Sequence, residues 1–183
     1  MFLQKCSFSI SLIGLILFGL FFSSGNKTNA QTKLRIGIFD SRAIAVTYYN
    51  SKFSNVQEAF GALRTKMKEA KEKDDKDAIK KIEREATLRQ AMMHQQGFGD
   101  GSVNGITETV KDKMAELAKT ENLSAIVSKW ELVFSGADIE LVDVTVQVVD
   151  FFEPDEKMKE ITKEVKQSEP IKDAYLILSL IHI

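Results

Sequence analysis

Apolar side chains recur at two different periods along this chain, and the places where the period changes mark its elements. In Leu34-Arg35-Ile36-Gly37-Ile38-Phe39 the residues Leu34, Ile36 and Ile38 recur at period two, which predicts a strand. Asp40-Ser41 can cap a following helix that carries Ala43, Ile44, Val46 and Tyr48. Phe53, Val56, Phe60, Leu63, Met67 and Ala70 then step by alternating threes and fours, a coiled-coil-like seam. Lys66, Lys68, Glu69, Lys71 and Glu72 lie between its positions as a solvated face. The seam fails at Asp74 and Asp77, and a second one, out of register, runs from Ile79 through Ile82 and Ala86 to Met93. Lys71 to Lys76 between them is wholly charged, and Asp74, Asp75 and Asp77 are good N-caps. The simplest account is a helical hairpin turning near Asp74–Asp77; a single bent helix is the alternative. Each arm of roughly twenty residues would span about 30 Å. A well-buried seam side chain contributes roughly 1.5–3 kcal/mol, while ordering each backbone residue costs about 1–2 kcal/mol. A lone arm therefore needs its partner arm and a body at its base.

Gly97-Phe98-Gly99-Asp100-Gly101 breaks the helical pattern, and Val103, Ile106, Val110, Met114 and Leu117 resume it up to Ala118. Ala125 to Phe134 reads as a second strand, with Ile126, Ser128, Trp130, Leu132 and Phe134 on one face. Ser135-Gly136-Ala137-Asp138 reads as a turn, and Ile139 to Val142 as a short third strand placed to pair with the second as a hairpin. Thr145 can cap a helix through Val148, Val149 and Phe152. Pro154 starts another helix, lined by Met158, Ile161 and Val165. The chain then turns apolar at Ala174-Tyr175-Leu176-Ile177-Leu178, a stretch too short to span a bilayer.

The start of the chain has the form of an export signal. Lys5 is followed by an apolar run from Phe8 to Phe22, and Thr28-Asn29-Ala30 sets small side chains before a cut ahead of Gln31. The expected organisation is a signal over 1–30, a domain over 31–152 with a helical excursion over 42–121, and an extension over 153–183. Export predicts a periplasmic protein with no integral span after cleavage, working without ATP. Cys6, the one cysteine, leaves with the signal, so the mature chain has no disulfide and no thiol nucleophile. Of 25 Lys and Arg, two (Lys5 and Lys27) leave as well, against 26 Asp and Glu, so the mature net charge is −3. That balance does not point to nucleic acid.

Candidate chemistry is sparse. His94 and His182 stand in no metal-binding spacing, and no G-x-S-x-G occurs. The carboxylates alternate with lysines as solvated helix faces do. The Gly97–Gly105 stretch precedes a helix, as a phosphate cradle would, but it lacks a Walker lysine and a preceding strand. No catalytic, cofactor-binding or metal residue is assigned, and no cofactor. Met92 and Met93 with Phe98 are the candidate contacts for a protein client, because methionine-rich surfaces adapt to varied partners. The plainer reading has them filling the hairpin seam.

Three stretches resemble the Skp/OmpH family of periplasmic chaperones. Leu34–Asp40 resembles its first strand. Val110 to Val127, with Ala118, Leu123 and Ala125-Ile126-Val127, resembles its return helix and second strand. Asp143-Val144-Thr145-Val146-Gln147-Val148 resembles its D-[IL]-T-x-x-V segment, with Val144 in place of Ile or Leu. The resemblance spans Leu34 to roughly Phe152. It implies a trimer in which a small β body joins the subunits and helical hairpins project around a cavity for unfolded outer-membrane proteins, with no catalytic residues. The arms here are shorter and expected to be slightly acidic where the family's are basic. The expected fold is thus α+β: a small, antiparallel-type β body of about three to four strands, a projecting coiled-coil-like hairpin and C-terminal helices. The expected function is a non-enzymatic, ATP-independent chaperone for unfolded or envelope proteins, acting as a homo-oligomer. The alternatives are an interaction module that docks to one envelope partner through its arms or tail, and an exported enzyme or small-ligand protein using the Gly97–Gly105 loop.

Overall fold

Strand β1 (Leu34–Phe39) is the centre of a three-stranded sheet in the computed structural model, which describes residues 33–171. The segment 1–30, expected to be an export signal, and the apolar stretch Ala174–Ile183 lie outside the described residues. After β1 come α1 (Ser41–Tyr49), α2 (Val56–Glu72), α3 (Lys76–Phe98), the single turn α4 (Asn104–Thr107), a 3₁₀ turn over Glu108–Val110, and α5 (Lys111–Thr120). The chain continues through β2 (Ala125–Ser128), β3 (Ile139–Asp143), α6 (Thr145–Asp150) and α7 (Glu156–Gln167). The fold is α+β, a small β body with helices. Among the described residues no helix is long and apolar enough to cross a membrane.

The sheet corrects one expectation. Both β2 and β3 pair with β1 and both run parallel to it, so the sheet is not antiparallel and β2 and β3 form no hairpin. β1 is apolar except for Arg35, and pairing on both sides satisfies both of its polar edges. The second strand is also shorter than the alternation suggests. It stops at Ser128, where the Glu131 N–H donates to the Ser128 carbonyl at 3.1 Å and the chain turns away. Residues 129–138 then return, without a helix, to the start of β3. Ten residues reach about 33 Å when extended, ample to run back along strands of four and five residues.

The core lies on one face of the sheet. Phe39 of β1 packs there with Ala43 and Ile44 of α1, Val103, Ile106 and Val110 before α5, and Val144, Val148, Val149 and Phe152 around α6. Gly37 faces the same side, where an added Cβ would lie 2.9 Å from Leu123 and 3.3 Å from Val144, so α6 and the β2 approach close on a residue without a side chain. The opposite face carries Leu34, Ile36 and Ile38 of β1, Val127 of β2, and Ile139 and Leu141 of β3, by register and alternation. These side chains do not belong to the core; Leu34 is 48% and Leu141 40% exposed.

The hairpin forms as the broken seam predicts, with its turn between α2 and α3. Asp74 takes a left-handed conformation at φ 50°, and the Asp75 N–H reaches back to the Ala70 carbonyl at 2.9 Å, closing α2 in a Schellman arrangement. The Asp75 side chain then accepts from the Ala78 N–H at 3.0 Å and caps α3. Leu63 and Ala70 are the buried seam positions of α2, while Val56, Phe60 and Met67 are half-buried, as are Ile79, Ile82 and Ala86 on α3. Pro154 sits one residue before the α7 N-cap Asp155, slightly upstream of its expected place.

Candidate functional site

Two features of the described residues bear on function: the surface of the arm that α2 and α3 make, and a closed knot of charge where the three strands end.

The arm stands away from the body. α2 packs extensively on α3 alone, whereas the C-terminal part of α3 also packs on α1. With 17 and 23 residues, the two helices are about 25 and 35 Å long. Of the candidate contacts, Met92 is 51% and Phe98 52% exposed, and Met93 is half-buried. The first two are therefore not spent in the seam. They do not form one patch with each other: six residues apart on a helix, they point about 120° from one another. Met92 lies instead on the face of Leu88, four residues earlier and 56% exposed. Phe98 stacks edge-on against His94, with ring centroids 5.8 Å apart. Leu88 was missed in sequence because its heptad position is not a seam position, and isolated surface leucines are ordinary. The charge expectation is also corrected. Val56–Phe98 holds ten Lys and Arg against eight Asp and Glu, so the arm is slightly basic and the acid excess of the chain lies outside it.

The glycine stretch is not a phosphate cradle. α3 continues through Gly97 to Phe98, and the N–H groups of Gly99 and Gly101 both donate to the Gln95 carbonyl, at 3.0 and 3.1 Å. A cradle requires such groups to be free. A Cβ on Gly101 would lie 2.9 Å from the Gln95 carbonyl carbon, which is why glycine stands there. The buried Gln96 side chain pins the loop by donating to the Ser102 carbonyl at 2.6 Å and accepting from the Tyr49 hydroxyl.

The charge knot is where sequence reading saw only a helix cap. Asp40 follows β1 and is fully buried. Its Oδ1 accepts from the Arg42 backbone N–H at 3.0 Å, Arg42 Nε at 3.1 Å and Trp130 Nε1 at 3.2 Å. Its Oδ2 takes the Arg42 terminal nitrogen and Lys129 Nζ, both at 2.8 Å. Burial pushes the Asp40 carboxyl upward, but the hydrogen bonds and charges of Arg42 and Lys129 outweigh it and hold the pKa at about 2. Five donors fill a carboxylate that offers about four acceptor sites, so no lone pair is left to act as a base. The Arg42 guanidinium, 5.0 Å from the Trp130 ring centre, also donates to the carbonyls of Val165 at 3.0 Å and Ser168 at 2.8 Å. This knot ties the end of α7 to the ends of β1 and β2. Nearby, Asp143 accepts from Thr145 and Lys166; burial raises its carboxyl and these bonds lower it further, to a net depression. Ser41 Oγ is buried with no hydrogen-bond partner among the described residues.

A cleft of about 460 Å³ lies between α1 and α7, lined by Thr47, Asn50, Ser51, Lys52, Phe152 and Asp155 among others. Its Ser51 hydroxyl donates to the Tyr48 carbonyl, and no histidine or cysteine lines it. Among the described residues no three His, Cys, Asp or Glu side chains are placed to hold a metal ion. Comparison of the chain with protein-family models, curated proteins and solved structures finds no match.

Proposed function

We propose that this chain is an exported, ATP-independent holdase of the cell envelope, binding unfolded envelope or outer-membrane proteins without catalysing a reaction. The observation that carries the proposal is the arm: a helical hairpin projecting from a small β body, slightly basic, with large apolar side chains at Leu88, Met92 and Phe98 left in solvent. A projecting arm of this kind buries too little to be there for stability, and mixed basic and apolar surface suits segments that have not yet folded. The order of elements that resembles the Skp/OmpH family supports the same reading. Assembly completes it. Parallel sheets occur almost only with both faces covered, and the Leu34, Ile36, Ile38 and Leu141 face of this one is not part of the core. A homo-oligomer, a trimer by resemblance, would cover that face and gather several arms around one space.

The test is dilution of a urea-unfolded outer-membrane β-barrel protein into buffer with and without the protein, followed by light scattering. Suppression of scattering at near-stoichiometric ratios is expected, with loss of most of it in Leu88→Asp/Met92→Asp. Unchanged scattering in the presence of the native protein overturns the proposal, and then capture of a single co-purifying envelope partner would favour the interaction-module reading.

A further inference from the structure

The last two helices leave a short groove between them, apolar on one wall and cationic on the other. It holds about 200 Å³. Val146 and Val149 of α6 line the apolar wall, Val146 exposed at its mouth and Val149 buried. Thr145 and Thr162 also line it and are buried, but their hydroxyls are already engaged. Thr162 donates to the Lys159 carbonyl at 2.7 Å, and Thr145 donates to Asp143 and accepts from the Asp40 N–H. The floor therefore presents methyl groups and no free donor. On the other side Lys159, Lys163 and Lys166 step by four and three along α7, so they share one face of it. Asp150 is the one carboxylate among the lining residues, which leaves an excess of two positive charges, three lysines less one aspartate. The lysines pair with Glu156, Glu160 and Asp143 at 2.6–2.9 Å, but none of those three lines the groove, and the pairs stand in solvent. Exposed pairs of this kind hold weakly, so the ammonium groups are free to turn to a better-placed anion.

We infer that this groove binds a small linear aliphatic carboxylate, its chain against Val146 and Val149 and its charged end at the ammonium groups of Lys163 and Lys166. Each property of the groove selects one property of the ligand. The cation excess sets the sign of its charge. The methyl-lined floor excludes sugars and nucleotides, whose hydroxyls would lose their hydrogen bonds to water and find none in exchange. The volume lies below the roughly 300–1,000 Å³ of sites for drug-sized ligands, so a ring system or a long acyl chain does not fit and a short chain does. The lysine stems extend the apolar cover over that chain while their heads stay at the rim. α7 lies past Phe152, beyond the stretch that resembles the Skp/OmpH family, and the inference does not depend on the holdase proposal.

The experiment is a titration of the protein with sodium octanoate, followed by NMR of isotopically labelled valine and threonine methyl groups. The Val146, Val149 and Thr162 signals should shift together along one saturable curve, while Val56 on the arm stays fixed. Octanol keeps the chain without the charge, and acetate the charge without the chain; each should bind at least roughly tenfold more weakly. Lys163→Gln, at an exposed position, should weaken octanoate binding by a similar factor and leave the Tm of the free protein unchanged. Val146→Asp, also exposed, should abolish binding by setting a second carboxylate beside Asp150. Absence of a saturable shift overturns the inference. Equal binding of octanol overturns it as well, since the lysines then have no part, and equal binding of acetate does so by reducing the groove to surface lysines that attract any anion. Octanoate binding undiminished in both variants also overturns it, and shifts centred on Val127 would then place the ligand on the open face of the sheet.

Discussion

Asp40 is the residue on which three distant parts of the chain depend. Its carboxylate binds Arg42, Lys129 and Trp130, and Arg42 carries the link on to Val165 and Ser168. Removing one member of a buried ion pair leaves the other charge uncompensated, at a cost of roughly 3–5 kcal/mol. Asp40→Asn should therefore lower the stability of the protein by about that amount in urea denaturation, and a loss below ~0.5 kcal/mol would show the knot to be incidental. The pH dependence has a definite sign. Asp40 is held at about 2, below its ordinary 3.8, so its contribution is complete above pH 3.8 and disappears as pH falls from there toward 2. The native protein should lose stability across that window, and Asp40→Asn should lose less, with the residual slope including Asp143. None of this was legible in the sequence beyond a helix cap. Lys129 and Trp130 lie some 90 residues from Asp40, and the alternation of Ile126, Ser128, Trp130 and Leu132 suggested that all continued one strand. The Lys129 N–H still donates to the Phe39 carbonyl of β1 at 2.9 Å, and beyond it the period is broken as Lys129 and Trp130 turn their side chains to the Asp40 carboxylate.

At the level of elements, the arm was legible and the strand pairing was not, for one physical reason. A helical seam is a local signal, repeated every three or four residues, and its phase break at Asp74–Asp77 marks the turn found between α2 and α3. Which strand lies next to which is settled by contacts across the whole chain, and period two carries no information about it. The arm also separates packing from exposure at side chains of one kind. Leu63 is buried in the seam at 5% exposure, and Leu88 stands at 56%. Leu63→Ala should cost roughly 2–5 kcal/mol through lost burial and the cavity left behind. Leu88→Ala should stay within about ±0.5 kcal/mol, as surface substitutions do. Circular dichroism during urea titration measures both. If Leu88→Ala destabilised the arm as much as Leu63→Ala, Leu88 would be a packing residue and unavailable to a client.

For the molecule as a whole the governing fact is a parallel sheet that, among the described residues, carries its core on one side. Gly37 and Phe39 face the core, while Ile36 and Ile38, alternating with them, face away from it, with Leu34, Val127, Ile139 and Leu141 around them in register. Six apolar side chains on one face of the sheet have the character of a protein–protein surface. If copies of the chain cover it, stability becomes a function of concentration, because association favours the folded state by mass action. Leu141→Glu tests this without threatening the protomer, since Leu141 is already 40% exposed and lies outside the core. In an assembly the new carboxylates would be buried close to one another, and like charges out of water repel strongly. The native protein should scatter light as a small closed oligomer whose Tm rises with concentration. Leu141→Glu should scatter as a single chain with a lower Tm that does not depend on concentration. Val146→Glu, at a 59% exposed position on α6 away from that face, should leave the mass unchanged. A native protein that is monomeric at every concentration would leave the second face of the sheet in water. It would also leave each arm alone, without the enclosed space that a holdase of this design requires.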